Sequence, residues 1–146
     1  MCRGYRAFNT FGGFTSGIGV HYTPSMTVKD QNQDLASGIV VGERFPPQKF
    51  LRAADAWPFD IQDLLPSDFR FKIVVFTGNF SDPVQKARVE SMVKDLERPE
   101  SFLNHYATSG KGSANLRFDI VTVSQGRKEE FQFMQIPMLL RSHWSK

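Results

Sequence analysis

The stretch KIVVFTGNFSDPVQK, Lys72 to Lys86, has the order of residues that thiol chemistry uses: an apolar strand, a turn and a helix start. The partial positive charge at a helix N-terminus stabilises a thiolate, so a cysteine in the preceding turn is well placed to react. Here the turn reads Thr77-Gly78-Asn79-Phe80 and holds no cysteine. The single cysteine of the chain, Cys2, is far from it along the sequence. The residues favour a structural role, in which Gly78 permits the turn and the helix begins at Pro83.

Other chemistry-bearing residues do not converge in the sequence. FGGFTSGIGVHY, Phe11 to Tyr22, invites a phosphate-cradling reading. A dinucleotide fingerprint needs G-x-G-x-x-G directly after a strand and opening a helix. Gly17 and Gly19 supply the first pair, but the third place is Tyr22, and no apolar strand precedes it. The stretch reads as a flexible connection. His21, His105 and His143 lie too far apart for a metal-ligand spacing, and no cysteine cluster joins them. Asp60 and Asp63 are near each other, yet paired carboxylates mean little without a pocket or a perturbed pKa, and they read as surface. Ser37-Gly38 and Ser109-Gly110 are turn pairs and not the G-x-S-x-G of a nucleophile elbow. Asn79-Phe80-Ser81 fits a glycosylation sequon, which reads as chance in the absence of a secretory signal. No residue is assigned as catalytic, cofactor-binding or metal-ligating.

The elements around these residues alternate. Met1 to Phe11 is rich in arginine and aromatics and reads as part of a helix. TPSMTVKDQNQDLASG reads as a polar linker, and IVVGERF as a short apolar run closed by Pro46-Pro47. KFLRAADAWPFDIQDLL reads as extended up to Pro58, then as a helix-like turn before Pro66. RFKIVVFTG becomes continuously apolar, as in a strand covered on both faces. Asp82 is then the N-cap, Pro83 the first helical residue and Gln85 the third, an Asp-x-x-Gln capping box. Val89, Met92, Val93 and Leu96 follow at helical spacing, and Arg98-Pro99 ends the helix. Ser101 caps a short second helix with Phe102, Leu103 and Tyr106. TSGKGSAN is a loop, and LRFDIVTVS is a strand with Leu116, Phe118 and Ile120 buried and Val121 and Val123 as further candidates. GRKEE is a charged turn, and Pro137 starts a last short helix. This order predicts an α/β layer whose parallel strands are joined through the helix from Asp82 to Leu96.

Composition sets the bounds. The chain has 146 residues, 40% hydrophobic and 23% charged, which suits one globular domain. The formal charge is +3, but basic and acidic residues are interspersed, so no nucleic-acid footprint is present. One cysteine excludes an internal disulfide framework. MCRGYRAFNTFGG has no signal-peptide core, and no run reaches membrane-spanning length, so the expected localisation is cytoplasmic. No nucleic-acid or membrane partner is expected.

Several separated motifs, in order, carry a resemblance. FTSGIGVHY is followed by Gly38-Ile39-Val40-Val41-Gly42-Glu43-Arg44-Phe45-Pro46, of the form G-x-x-x-G-x-R-x-P. Arg52-Ala53-Ala54-Asp55-Ala56 has the form R-x-A-D-(A/G). Ser67-Asp68-Phe69-Arg70-Phe71 matches S-D-G-R-(F/W), with Phe69 in place of the glycine. Pro99-Glu100-Ser101-Phe102-Leu103 and Ile136-Pro137-Met138-Leu139-Leu140-Arg141 also agree in kind. From about Phe14 to about Trp144 the chain resembles the C-terminal part of fungal-type, FAD-dependent phenol 2-monooxygenases.

The resemblance implies an α/β, thioredoxin-like domain without redox cysteines, associated with dimerisation. It implies that residues 1–34 are the tail of the flavin-bearing portion plus a linker, and that residues 35–146 form a partial thioredoxin-like domain. By the same resemblance, the family's elements for FAD, NADPH and catalysis are expected upstream of Met1, and its further strands and closing helix beyond Trp144. The expected piece is therefore truncated at both ends, binds no cofactor itself, and is not an enzyme alone. Its expected partners are a second copy or a full-length hydroxylase subunit. A thioredoxin-like redox enzyme and a stand-alone adaptor regulating a full-length hydroxylase are the alternatives.

Overall fold

A computed structural model describes residues 11–13, 16–106, 117–126 and 132–141. The predicted N-terminal helix, the 108–115 loop, the charged turn after Gly126, Leu116 and His143 fall outside these residues. The chain divides into two compact units, Met1–Gln48 and Lys49–Lys146.

In the first unit the glycine-rich segment and the G-x-x-x-G-x-R segment meet. Tyr22 N–H donates to the Gly42 carbonyl at 2.9 Å, and His21 bridges to Glu43 in antiparallel fashion. Gly42 has φ +89, and a Cβ there would lie 2.3 Å from the Tyr22 carbonyl oxygen. Only glycine fits that approach. The run IVVGERF therefore makes a turn and a single bridge rather than a strand. The polar stretch before it, read as a linker, contains a 3-10 turn at Gln33–Ala36. The Gln33 side chain ties it down, donating to the Ile39 carbonyl at 2.9 Å and accepting from Val41 N–H at 2.6 Å.

The second unit begins with a hairpin of β1 (Lys49–Leu51) and β2 (Pro58–Asp60), paired antiparallel with Phe50 opposite Phe59. The sequence reads as extended here, but the chain reverses between Arg52 and Trp57. Arg52 grips Asp55 through its guanidinium, and Trp57 N–H donates to Asp55 at 3.1 Å. Ala56 completes the reversal at φ +58. A left-handed residue between two short strands leaves no periodic signal, only the R-x-x-D spacing that clasps it. Pro58 sits at the first position of its strand, where a missing N–H is tolerated. A 3-10 turn, Ile61–Leu64, follows with Ile61 buried.

The centre of the unit is a parallel pair, β3 (Phe71–Asn79) and β4 (Phe118–Gln125), with Ile73 opposite Ile120 and Val74 opposite Val121. Helix α1 (Pro83–Leu96) lies between them in sequence, and the short α2 (Phe102–His105) comes before β4. The mixed α/β organisation and the crossover through the predicted helix are as the sequence pattern implies. Alternation along a strand sends every second side chain to one face. Val75 and Ile120 thereby pack on Val89 and Val93 of α1 and on Phe80, Ile136 and Leu140. The opposite face is covered less than a doubly buried strand requires, since Phe76 is half exposed.

The C-terminal motif closes this core. Pro137 leads the short helical turn that the sequence implies, a 3-10 turn over Met138–Leu140. Thr122 donates to the Leu140 carbonyl at 2.7 Å, and Arg141 donates to the carbonyls of Ile136 and Met134, both at 2.7 Å. These donors, one a neutral hydroxyl and the other a guanidinium, fix the loop that delivers Ile136 and Leu140. Phe80 is the largest side chain in the cluster and is 2% exposed. Phe80→Ala is expected to cost about 3–5 kcal/mol of unfolding free energy, read by urea denaturation, because it combines lost burial with a cavity.

Candidate association surface

The turn between β3 and α1 is the first place to look for chemistry. Gly78 has φ +66, and the β3–β4 register shifts between Phe76 and Gly78. This bulge turns the buried Thr77 inward, with its hydroxyl 3.4 Å from the Val123 carbonyl. Asn79 accepts from Ser81 N–H at 3.0 Å, so the sequon asparagine is used locally in a turn. Asp82 caps α1 by accepting from Val84 N–H at 3.0 Å, and its carbonyl accepts from Lys86 N–H at 2.9 Å. The reciprocal arm of the capping box is replaced: Asp82 N–H donates to the Asn79 carbonyl at 3.1 Å, and the Gln85 side chain lies over Gly78.

A carboxylate thus occupies the position where a helix N-terminus would steady a thiolate. The fold here presents a satisfied cap rather than a reactive turn. Gly78→Ala is expected to cost about 1–2 kcal/mol, measured by chemical denaturation, from the left-handed backbone alone. The space itself would admit a methyl group, as the nearest atom would be Gln85 at 3.8 Å.

The remaining predicted candidates stay dispersed. Gly17 and Gly19 both have positive φ, in a turn rather than at the start of a helix. The Arg44 guanidinium beside this turn donates to the Ser16 carbonyl at 2.5 Å. His21 faces Glu43 at 3.6 Å, whereas the His105 ring meets Tyr106 edge-on at 4.9 Å. Asp60 pairs with Lys49 at 3.7 Å. Ser37 closes the 3-10 turn at Gln33–Ala36, and Ser109-Gly110 lies outside the described residues. Among the described residues no group of three or more metal-ligating side chains forms, and no helix is long and apolar enough to cross a membrane.

What the sequence reading missed is a charged and aromatic assembly where β3 and β4 begin. Lys72 lies opposite Asp119 in register, and its ammonium donates to Asp119 and to Asp68, both at 2.8 Å. Arg70 donates through Nε to Asp68 at 2.8 Å and reaches Asp119 at 3.1 Å. Hydrogen bonds from Arg70, then from Lys72, hold the Asp68 carboxyl well below the usual carboxylate range. Burial works against the charge of Lys72, but its bonds to Asp119 and Asp68 outweigh this and raise its pKa.

Aromatic side chains flank this network. The rings of Phe71 and Phe118 are 5.9 Å apart, and Phe102 meets Phe118 edge-on at 5.5 Å. Phe71 is 72% exposed. Phe69, between the paired Asp68 and Arg70, is fully exposed at φ +62. That backbone explains why glycine suits this place in the S-D-G-R pattern.

Residues 20–146 match the family model described as phenol hydroxylase, C-terminal dimerisation domain. The chain belongs to this dimerisation-domain family. It is 30% identical over 135 residues to a 3-hydroxybenzoate 4-monooxygenase of Comamonas testosteroni, covering 91% of this chain and 21% of the relative. It is 29% identical over 126 residues to the FAD-dependent monooxygenase terD of Aspergillus terreus, covering 85% of this chain and 20% of the relative. It is 26% identical over 137 residues to the phenol 2-monooxygenase fsqG of Aspergillus fumigatus, covering 90% of this chain and 21% of the relative. The chain spans about one fifth of the length of these curated relatives.

The network makes the fold sensitive to acid. The unfolded chain protonates Asp68 in the ordinary carboxylate range, near 3.8, while the folded chain resists protonation until a lower pH. The unfolded state therefore binds more protons below about pH 4, and stability falls as the solution is acidified. Asp55, lowered to about 2 by its hydrogen bond from Arg52 and then by Trp57 N–H, adds a loss between about pH 4 and about pH 2. Asp68→Asn is expected to lower the thermal midpoint at neutral pH and to flatten its fall in acid. An unaltered acid slope in circular-dichroism melts would show that Asp68 is not held ionised.

Proposed function

We propose that this chain is a non-catalytic, thioredoxin-like association domain of a flavin-dependent aromatic-ring hydroxylase. The whole enzyme would use FAD, NADPH and O2 to hydroxylate a phenol in the cytoplasm. Residues 1–34 would be the tail of the flavin-bearing portion, and residues 35–146 a part of the thioredoxin-like domain. Association would be with a second copy or with a full-length hydroxylase subunit.

The observation that carries this reading is the turn from Thr77 to Asp82. A β3–α1–β4 unit of this kind could serve redox chemistry, but its helix N-terminus is capped by Asp82 and its turn has no sulfur. What is left to such a unit is its surface. The family description and the monooxygenase relatives support dimerisation as the use of that surface.

The test is size-exclusion chromatography with light scattering and an absorbance trace at flavin wavelengths. The expected result is a discrete dimer with no flavin absorbance and no thiol-dependent reductase activity. A monomer at all concentrations, or a yellow protein retaining flavin through the column, would overturn the reading.

A further inference from the structure

We propose that a second copy of this chain docks on the end of the β3–β4 sheet that carries Phe69 and Phe71, with Phe69 as the inserted anchor. The proposal rests on the association reading above and assigns it a surface.

Three observations converge on this end of the sheet. The first is Phe69 itself. A bulky residue at φ +62 is strained, and a fully exposed ring receives no packing inside its own chain to offset the strain. Both neighbours are fastened, since Arg70 N–H and Nε donate to Asp68 at 3.3 and 2.8 Å. The backbone is thus held with the ring outward, a preorganised knob that would lose little freedom on burial. The second is continuity. Phe71 is also mostly exposed and contacts Phe118, which contacts Phe102, so the knob stands beside an aromatic tract. Aromatic residues of this kind form the centres of protein interfaces.

The third observation selects the occupant. Two carboxylates, Asp68 and Asp119, and two cations, Arg70 and Lys72, sit beside these rings and bond to one another. Their formal charges sum to zero (two negative, two positive). A two-fold interface sets a patch against its own copy, so a patch of one sign repels itself while a balanced one does not. A nucleic acid would select a cluster of unpaired cations, whereas Arg70 and Lys72 are both held by carboxylates. The balanced rim and the aromatic centre fit a second copy.

The experiment is sedimentation velocity over a concentration series on the 146-residue chain, comparing wild type with Phe69→Gly and Phe69→Asn. Both replacements accept a left-handed backbone, so they separate the anchor from the strain. The expected result is a dimer dissociation constant raised at least tenfold in both variants. The urea midpoint, measured below the dissociation concentration, should be equal to or above that of wild type. Dimers of unchanged affinity in both variants overturn this surface and leave the association reading intact. A wild-type chain that never dimerises overturns both. Weaker dimers accompanied by a lowered urea midpoint would mark Phe69 as a folding residue and overturn its role as an anchor.

Discussion

The second unit depends on the left-handed backbone of Gly78. At φ +66 it ends the regular ladder of β3, turns Thr77 into the interior and begins the turn that brings Asp82 under α1. From there the direction of α1 is set, and with it the meeting of Val89 and Val93 with Val75 and Ile120. Phe80 belongs to the same turn and fills the centre of that contact. One residue without a Cβ therefore couples the sheet, the helix cap and the core.

The parts legible in the sequence were those written locally. Asp82-Pro83 reads as a helix start because the capping side chain and the imide need only each other and the next turn. The spacing of Val89, Met92, Val93 and Leu96 reads as one face because a helix repeats within the span of the motif. Two apolar runs around a helix read as a parallel pair because a helical crossover returns the chain to run in the same direction. The resemblance added the family, and the match over residues 20–146 bears it out.

What was not legible depended on partners far away or on single backbone angles. Asp119 lies 47 residues from Lys72, and no periodicity announces that the strands will register them opposite each other. The hairpin of β1 and β2 turns on Ala56, an ordinary residue in an uncommon conformation. Phe69 carried the one available signal, an aromatic where the family pattern has glycine. The two family motifs of the first unit, FTSGIGVHY and G-x-x-x-G-x-R, had no evident purpose until Gly42 was seen against Tyr22.

The loop clasped by Arg141 has a consequence for synthesis of the protein. Ile136 and Leu140 complete a core that Phe80 and Val89 open much earlier in the chain. A ribosome adding roughly 5–20 residues per second would leave those side chains without their last partners for several seconds. During that interval the nascent chain exposes an apolar helix face and an unfinished parallel ladder, the kind of surface on which chaperones act. The place of Arg141 after the rest of the core makes closure of that core a late event in the making of each molecule.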